Sequence, residues 1–164
     1  MELSNLSKLL WISLVMVAVS CSDLLNRTGT SLIEADLIEE GLYSNYSEEG
    51  LQTLVIESQG HFANEWDKLH KGKEPIPELP DIDFSDKTII MVIMESKPTG
   101  GYNIDSVEIG VVNNRIEVRF RELQPGENCI TTQAITRPFK VFSIDRTGKK
   151  VIFTEEEAVI RDCN

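Results

Sequence analysis

A run of six apolar residues, Ile89-Ile90-Met91-Val92-Ile93-Met94, passes without a polar interruption. Uniform apolarity over a strand-length segment predicts a central strand, residues 87–94, covered on both faces. Downstream the pattern switches to period two. Val107, Ile109 and Val111 alternate with Glu108 and Gly110, and Ile116, Val118 and Phe120 alternate with Arg115, Glu117, Arg119 and Arg121. Asn113-Asn114 between them supplies a two-residue turn, so the pair predicts a β-hairpin. Further strand-like segments fall at residues 32–46, 51–57, 130–136, 140–145 and 151–153, the first two joined as a hairpin through the turn Ser47-Glu48-Glu49-Gly50. Only one segment has helical spacing. Ser58 can cap a helix running to about Lys71, in which Phe62, Trp66 and Leu69 share one face. Gly72 ends it, and Pro75, Pro77 and Pro80 make the following connector extended. The expected fold is mainly β with one helix, an antiparallel β-sandwich.

Directly after the apolar strand comes Lys97-Pro98-Thr99-Gly100-Gly101-Tyr102. Pro98 presets φ and two adjacent glycines permit positive φ or close backbone approach, so the segment can turn sharply and display Thr99 and Tyr102. Two readings stay open at this point: an ordinary turn between strands, or a loop presented to a partner.

The N-terminal region has a different pattern. Residues 9–19 are apolar, Lys8 precedes them, and Ser20-Cys21-Ser22-Asp23 follows. The run is too short to span a bilayer and fits a secretory signal peptide over residues 1–20. Residues 21–31 then read as a tether and residues 32–164 as a single domain. Export permits disulfides, and Cys129 with Cys163 could form one or stay as two thiols.

Composition narrows the function classes. The chain of 164 residues is 41% hydrophobic and carries a formal net charge of -11, with a pI near 4.6. Such a surface repels nucleic acid, and the cluster Lys68, Lys71 and Lys73 is interrupted by Asp67 and Glu74. No nucleic-acid partner is expected. His61 and His70 do not share a metal-binding spacing, and no cysteine lies near either in sequence. Asp81, Asp83 and Asp86 fail the calcium-loop pattern, whose sixth and twelfth positions hold Asp86 and Val92 here. Nucleophile-elbow, dinucleotide and phosphate-loop motifs are missing. The reading is therefore a non-enzyme, with no catalytic residues, no metal and no cofactor.

Two sets of residues carry family resemblances. Ala18-Val19-Ser20-Cys21 resembles the lipobox of bacterial lipoproteins, which implies cleavage before Cys21, lipidation such as palmitate on that cysteine, and a membrane anchor in the bacterial cell envelope, at the outer membrane or on the periplasmic side. Pro98-Thr99-Gly100-Gly101-Tyr102, together with Ser58-Gln59, Trp66, the apolar strand and Thr136-Arg137-Pro138-Phe139-Lys140-Val141, resembles the PrcB-type protease-complex subunits over about residues 52–144. Their C-terminal domain carries Pro-Thr-Gly-Gly-Tyr, and members are implicated in stabilising or assembling a surface subtilisin-like protease. The resemblance implies a protein partner, a protease, bound through Pro98, Thr99, Gly100, Gly101, Tyr102, Arg137, Pro138 and Phe139. The same two loops are similar, more distantly, to those of chagasin-type inhibitors of papain-like proteases. That resemblance implies an immunoglobulin-like sandwich and, as an alternative function, insertion of both loops into an active-site cleft; the inhibitors' third, glycine-rich loop has no counterpart, since residues 123–127 hold one glycine.

Overall fold

The computed structural model describes residues 30–163. The expected signal peptide, Cys21 and nearly all of the tether lie outside the described residues. The elements run β1 (Ser31–Leu32), β2 (Ala35–Gly41), β3 (Gln52–Ile56), α1 (Gln59–Leu69), β4 (Lys87–Ile93), β5 (Asn103–Val112), β6 (Arg115–Pro125), β7 (Phe139–Asp145) and β8 (Val151–Arg161). They build two four-stranded sheets, one ordered β1-β5-β6-β8 and the other β2-β7-β4-β3. The mainly β sandwich with one helix is thus what folds.

Alternation along β4 explains how the layers are joined. Ile89, Met91 and Ile93 enter one core with Phe62, Trp66 and Leu69 of α1, whereas Ile90, Val92 and Met94 enter a second core with Ile109, Ile116, Val118 and Phe120 of β5 and β6. Successive side chains of a strand point to opposite faces. The molecule therefore has three layers: α1, the β4-containing sheet, and the β5-containing sheet. Each fully buried aliphatic side chain contributes roughly 1.5–3 kcal/mol by leaving water, so the continuous run of β4 holds both interfaces. The helix starts where Ser58 Oγ accepts from the His61 amide at 3.4 Å, and Gly72 follows its end at φ 80°.

Local turn chemistry fixes the β5–β6 hairpin. Asn113 and Asn114 take φ 49° and 61°, the left-handed pair that a two-residue hairpin requires, and the register runs from Val112 opposite Arg115 to Asn103 opposite Leu123.

Long-range pairing departs from expectation in four places. Residues 32–46 do not form one strand: β1 pairs with β5 in one sheet and β2 with β7 in the other. The anticipated hairpin of β2 with β3 is also absent, because these two strands occupy opposite edges of their sheet. Residues 130–136 form a loop, touching a strand-like partner only at the bridge Lys97–Thr136, and Ile130 is fully exposed. Finally, β8 runs on through Glu155–Glu157 and lies parallel to β6. Parallel neighbours need a crossover connection, and here β7, seated in the opposite sheet, provides it.

Candidate functional site

Three connections meet at one end of the sandwich: residues 42–51 after β2, residues 94–102 after β4, and residues 126–138 before β7. Arg137 ties them together. Its Nε donates to the Met94 carbonyl at 2.9 Å, one terminal nitrogen to the Tyr46 carbonyl at 2.6 Å and the other to the Gly50 carbonyl at 2.9 Å. Its own amide donates to the Leu42 carbonyl at 2.8 Å. A guanidinium presents its donors in a rigid planar fork, and this one closes on two carbonyls of the 42–51 connection and one at the end of β4. The side chain also lies over the Tyr46 ring, 5.7 Å from its centroid.

This geometry changes the expected division of labour. Arg137, Pro138 and Phe139, anticipated as contact residues, are all buried. Phe139 is 1% exposed within the helix-side core, and its ring stands 2.7 Å from where a side chain on Gly41 would begin. The corner supports the loops and does not display its own side chains. Sequence reasoning missed this because arginine is seldom buried, and the carbonyls that hold it sit 43, 87 and 91 positions away.

Residues 98–102 are built differently. Lys97 exchanges both backbone hydrogen bonds with Thr136, and the Thr136 hydroxyl donates to the Thr99 carbonyl at 2.9 Å. Next, the Gly100 amide donates to the Thr132 carbonyl at 2.8 Å. The two glycines are sterically required. A Cβ on Gly100 would lie 2.4 Å from Thr132 Oγ1; one on Gly101, which sits at φ 92°, would lie 3.0 Å from both Pro125 and Thr131. The loop is therefore seated on residues 125–132, while Pro98 is exposed and Thr99 and Tyr102 are half-buried.

Lys97 anchors the base of this loop electrostatically. Its ammonium lies 2.6 Å from Glu122 Oε1 and 3.0 Å from Glu95, and 5.3 Å from the centroid of the Tyr102 ring. The approach to Glu122 Oε1 is not aligned as a hydrogen bond, so the contact is charge pairing in a mostly water-free position. Burial opposes the charge on Lys97, but the two carboxylates outweigh it and hold the ammonium above its ordinary pKa.

The remaining ionisable groups of interest support the frame. Glu65, buried on α1, accepts from the Tyr46 hydroxyl and pairs with Lys68 at 2.9 Å; burial and then Glu65 raise the Tyr46 phenol well above its usual range. His70 is fully buried between Glu39 at 2.9 Å and Lys73 at 3.0 Å, and burial lowers its pKa against the opposite pull of Glu39. His61 lies on the surface side of Glu65, at 3.7 Å. Cys129 and Cys163 are joined as a disulfide with Cα atoms 5.1 Å apart, fixing the end of β8 to the loop that precedes β7.

Fold and site together define a two-sheet domain with one covering helix and a glycine-seated loop at one end. Residues 88–145, from β4 through β7 and including both motifs, match the family described as PrcB C-terminal, in agreement with that resemblance. The match points to a subunit associated with a protease complex. A comparison with curated proteins and one with solved structures each found no match, and the chagasin resemblance has no counterpart in these findings.

Proposed function

We propose that this protein is a non-enzymatic accessory subunit, lipid-anchored through Cys21 in the bacterial cell envelope, that stabilises or assembles an exported protease through the loop 98–102. The observation that carries the reading is the seating of that loop. Gly100 and Gly101 press its backbone onto residues 125–132, leaving Pro98 exposed and Thr99 and Tyr102 partly so. A preorganised loop loses little conformational entropy on binding, and tyrosine is a residue type favoured at interface centres. Exposed apolar side chains on the adjoining connections, Leu42, Tyr43 and Ile135, extend the same surface around the Arg137 clamp. The contact set is accordingly Pro98, Thr99 and Tyr102 with these neighbours, and the corner 137–139 acts behind it.

Cross-linking in intact cells followed by capture of the full chain tests this. The combined variant Pro98→Ala, Thr99→Ala, Tyr102→Ala should lose most of the protease recovered with wild type; equal recovery would refute the loop assignment. Cys21→Ala should move the protein out of the membrane fraction, and continued retention would count against the anchor. Micromolar domain added to papain-like and subtilisin-like proteases should leave their active sites unblocked, since the buried corner leaves only one of the two inhibitor-like loops displayed. Active-site-competitive inhibition would favour the inhibitor reading instead.

A further inference from the structure

The loop 98–102 rests on residues 125–132, and those residues are held at their far side by the end of β8. The Gly126 amide donates to the Arg161 carbonyl at 3.0 Å, and a side chain on Gly126 would stand 2.6 Å from that same oxygen. Three residues on, Cys129 is bonded to Cys163, with its sulfur 3.6 Å from the Arg161 carbonyl. Past the cysteine little apolar packing holds the segment: Ile130 projects wholly into solvent, Thr132 and Gln133 are exposed, and Ile135 is 72% exposed. The next fixed points are the Thr132 carbonyl, which receives the Gly100 amide, and the bridge at Thr136. One short path therefore runs from the disulfide through Thr131 and Thr132 to Gly100 and Gly101.

Chemistry at the bond is also accessible. Cys163 is exposed, Cys129 is half-buried, and a groove lined by Gly126, Glu127, Asn128, Ile160 and Arg161 opens beside them. Core strands lie elsewhere, so breaking the bond exposes no part of either hydrophobic cluster.

We propose that Cys129–Cys163 is a thiol–disulfide exchange site that latches the loop 98–102, opened by a protein or small-molecule dithiol. The proposal rests on reading that loop as the contact loop. A donor thiolate attacks the accessible Cys163 sulfur and the Cys129 sulfur leaves as a thiolate, which takes up a proton. The donor's second thiol then displaces Cys163 from the mixed disulfide, so the protein gains two thiols and the donor ends as a disulfide. With the bond open, residues 127–133 lose their anchor, the Thr132 carbonyl no longer stays under Gly100, and the displayed loop loosens.

Amide hydrogen exchange on the full chain tests the latch without any partner. We compare the oxidised protein, the protein treated with dithiothreitol, and the variant Cys129→Ser/Cys163→Ser. Both bond-free forms should show the Gly100 amide exchanging at least about tenfold faster, with β4 protection unchanged, as expected for a local opening. Gly100 exchange that is unchanged while residues 130–132 speed up would overturn the latch, as would a loss of protection extending through β4, which would make the bond a support of the whole fold. Protease capture separates the two readings. If reduction leaves Gly100 exchange and capture intact while the triple loop variant abolishes capture, the latch fails and the contact loop stands; if Gly100 opens as expected but the triple variant still captures the protease, the contact-loop reading fails and the latch stands.

Discussion

Arg137 and Tyr102 stand on neighbouring connections at one end of the sandwich. One is 5% exposed, with its guanidinium closed on three backbone carbonyls, and the other is half-buried beneath a lysine ammonium at the edge of solvent. Both belong to short motifs that look equally suited to display. What separates them is where their polar groups find partners. Arg137 satisfies carbonyls that no secondary structure pairs, so its role is to hold loops; Tyr102 follows two glycines whose backbone is pinned, so its role is to be held. A loop can be presented only if something nearby is withdrawn to fix it.

Removing the clamp should give the largest effect on that contrast. Arg137→Ala strands the carbonyls of the buried residues Tyr46 and Met94 and frees that of the exposed Gly50 to water; each buried group left without a partner costs about 1–3 kcal/mol, so a loss of about 2 kcal/mol or more is expected from urea unfolding. Arg137→Lys should restore less than half of it, because one ammonium cannot span the three acceptors. A loss below about 1 kcal/mol for the alanine variant would mean that Arg137 is not the clamp described.

The glycine seat comes next. Gly101→Ala must place a Cβ at φ 92° against Pro125 and Thr131, with an expected cost of about 1–2 kcal/mol. A neutral result by the same measurement would show that the loop is free to shift, removing the preorganisation argument. Tyr102→Ala should cost less than about 1 kcal/mol, reflecting only its contact with Lys97 and partial burial. If it destabilised as much as Arg137→Ala, the two regions would not differ in kind.

The smallest effect is a pH dependence on the buried side. His70 packs edge-on to Phe139, with ring centroids 6.1 Å apart, and its folded pKa is lowered by burial. The unfolded chain then binds a proton near pH 6.5 that the folded chain refuses, so this group removes stability as pH falls below about 6.5. The urea midpoint should drop between pH 7.5 and 5.5, and by less in His70→Gln. Identical drops in the two proteins would assign the slope to other groups.

Much of the frame was legible because it is local. The uniform apolarity of Ile89–Ile93 announced a strand buried on both faces, Asn113-Asn114 marked the turn of the β5–β6 hairpin, and Ser58 with Phe62, Trp66 and Leu69 marked the helix and its inner face. What alternation does not encode is the partner. Nothing in residues 35–41 says that they pair with β7 rather than β3, and nothing in residues 151–161 says that they lie parallel to β6. Residues 130–136 show why a strand-like composition is not enough: with Ile130 and Ile135 in solvent, no sheet face exists for them to cover. At the site, the glycine loop could be found from its residue types. The burial of Arg137 could not, since it depends on carbonyls contributed by distant segments.

The bond between Cys129 and Cys163 encloses β7 and β8, one strand from each sheet, in a covalent ring of sequence separation 34. For a chain pulled from its ends, those residues cannot be drawn out, which withholds roughly 110–120 Å of contour length at about 3.3–3.6 Å per residue. Among the described residues the first strand to meet such a load is β1, held to β5 at Ser31 and Leu32 and, just beyond, by the Ile33 amide donating to the Ile109 carbonyl at 3.0 Å. Mechanically, then, the domain is soft where it begins and inextensible where it ends.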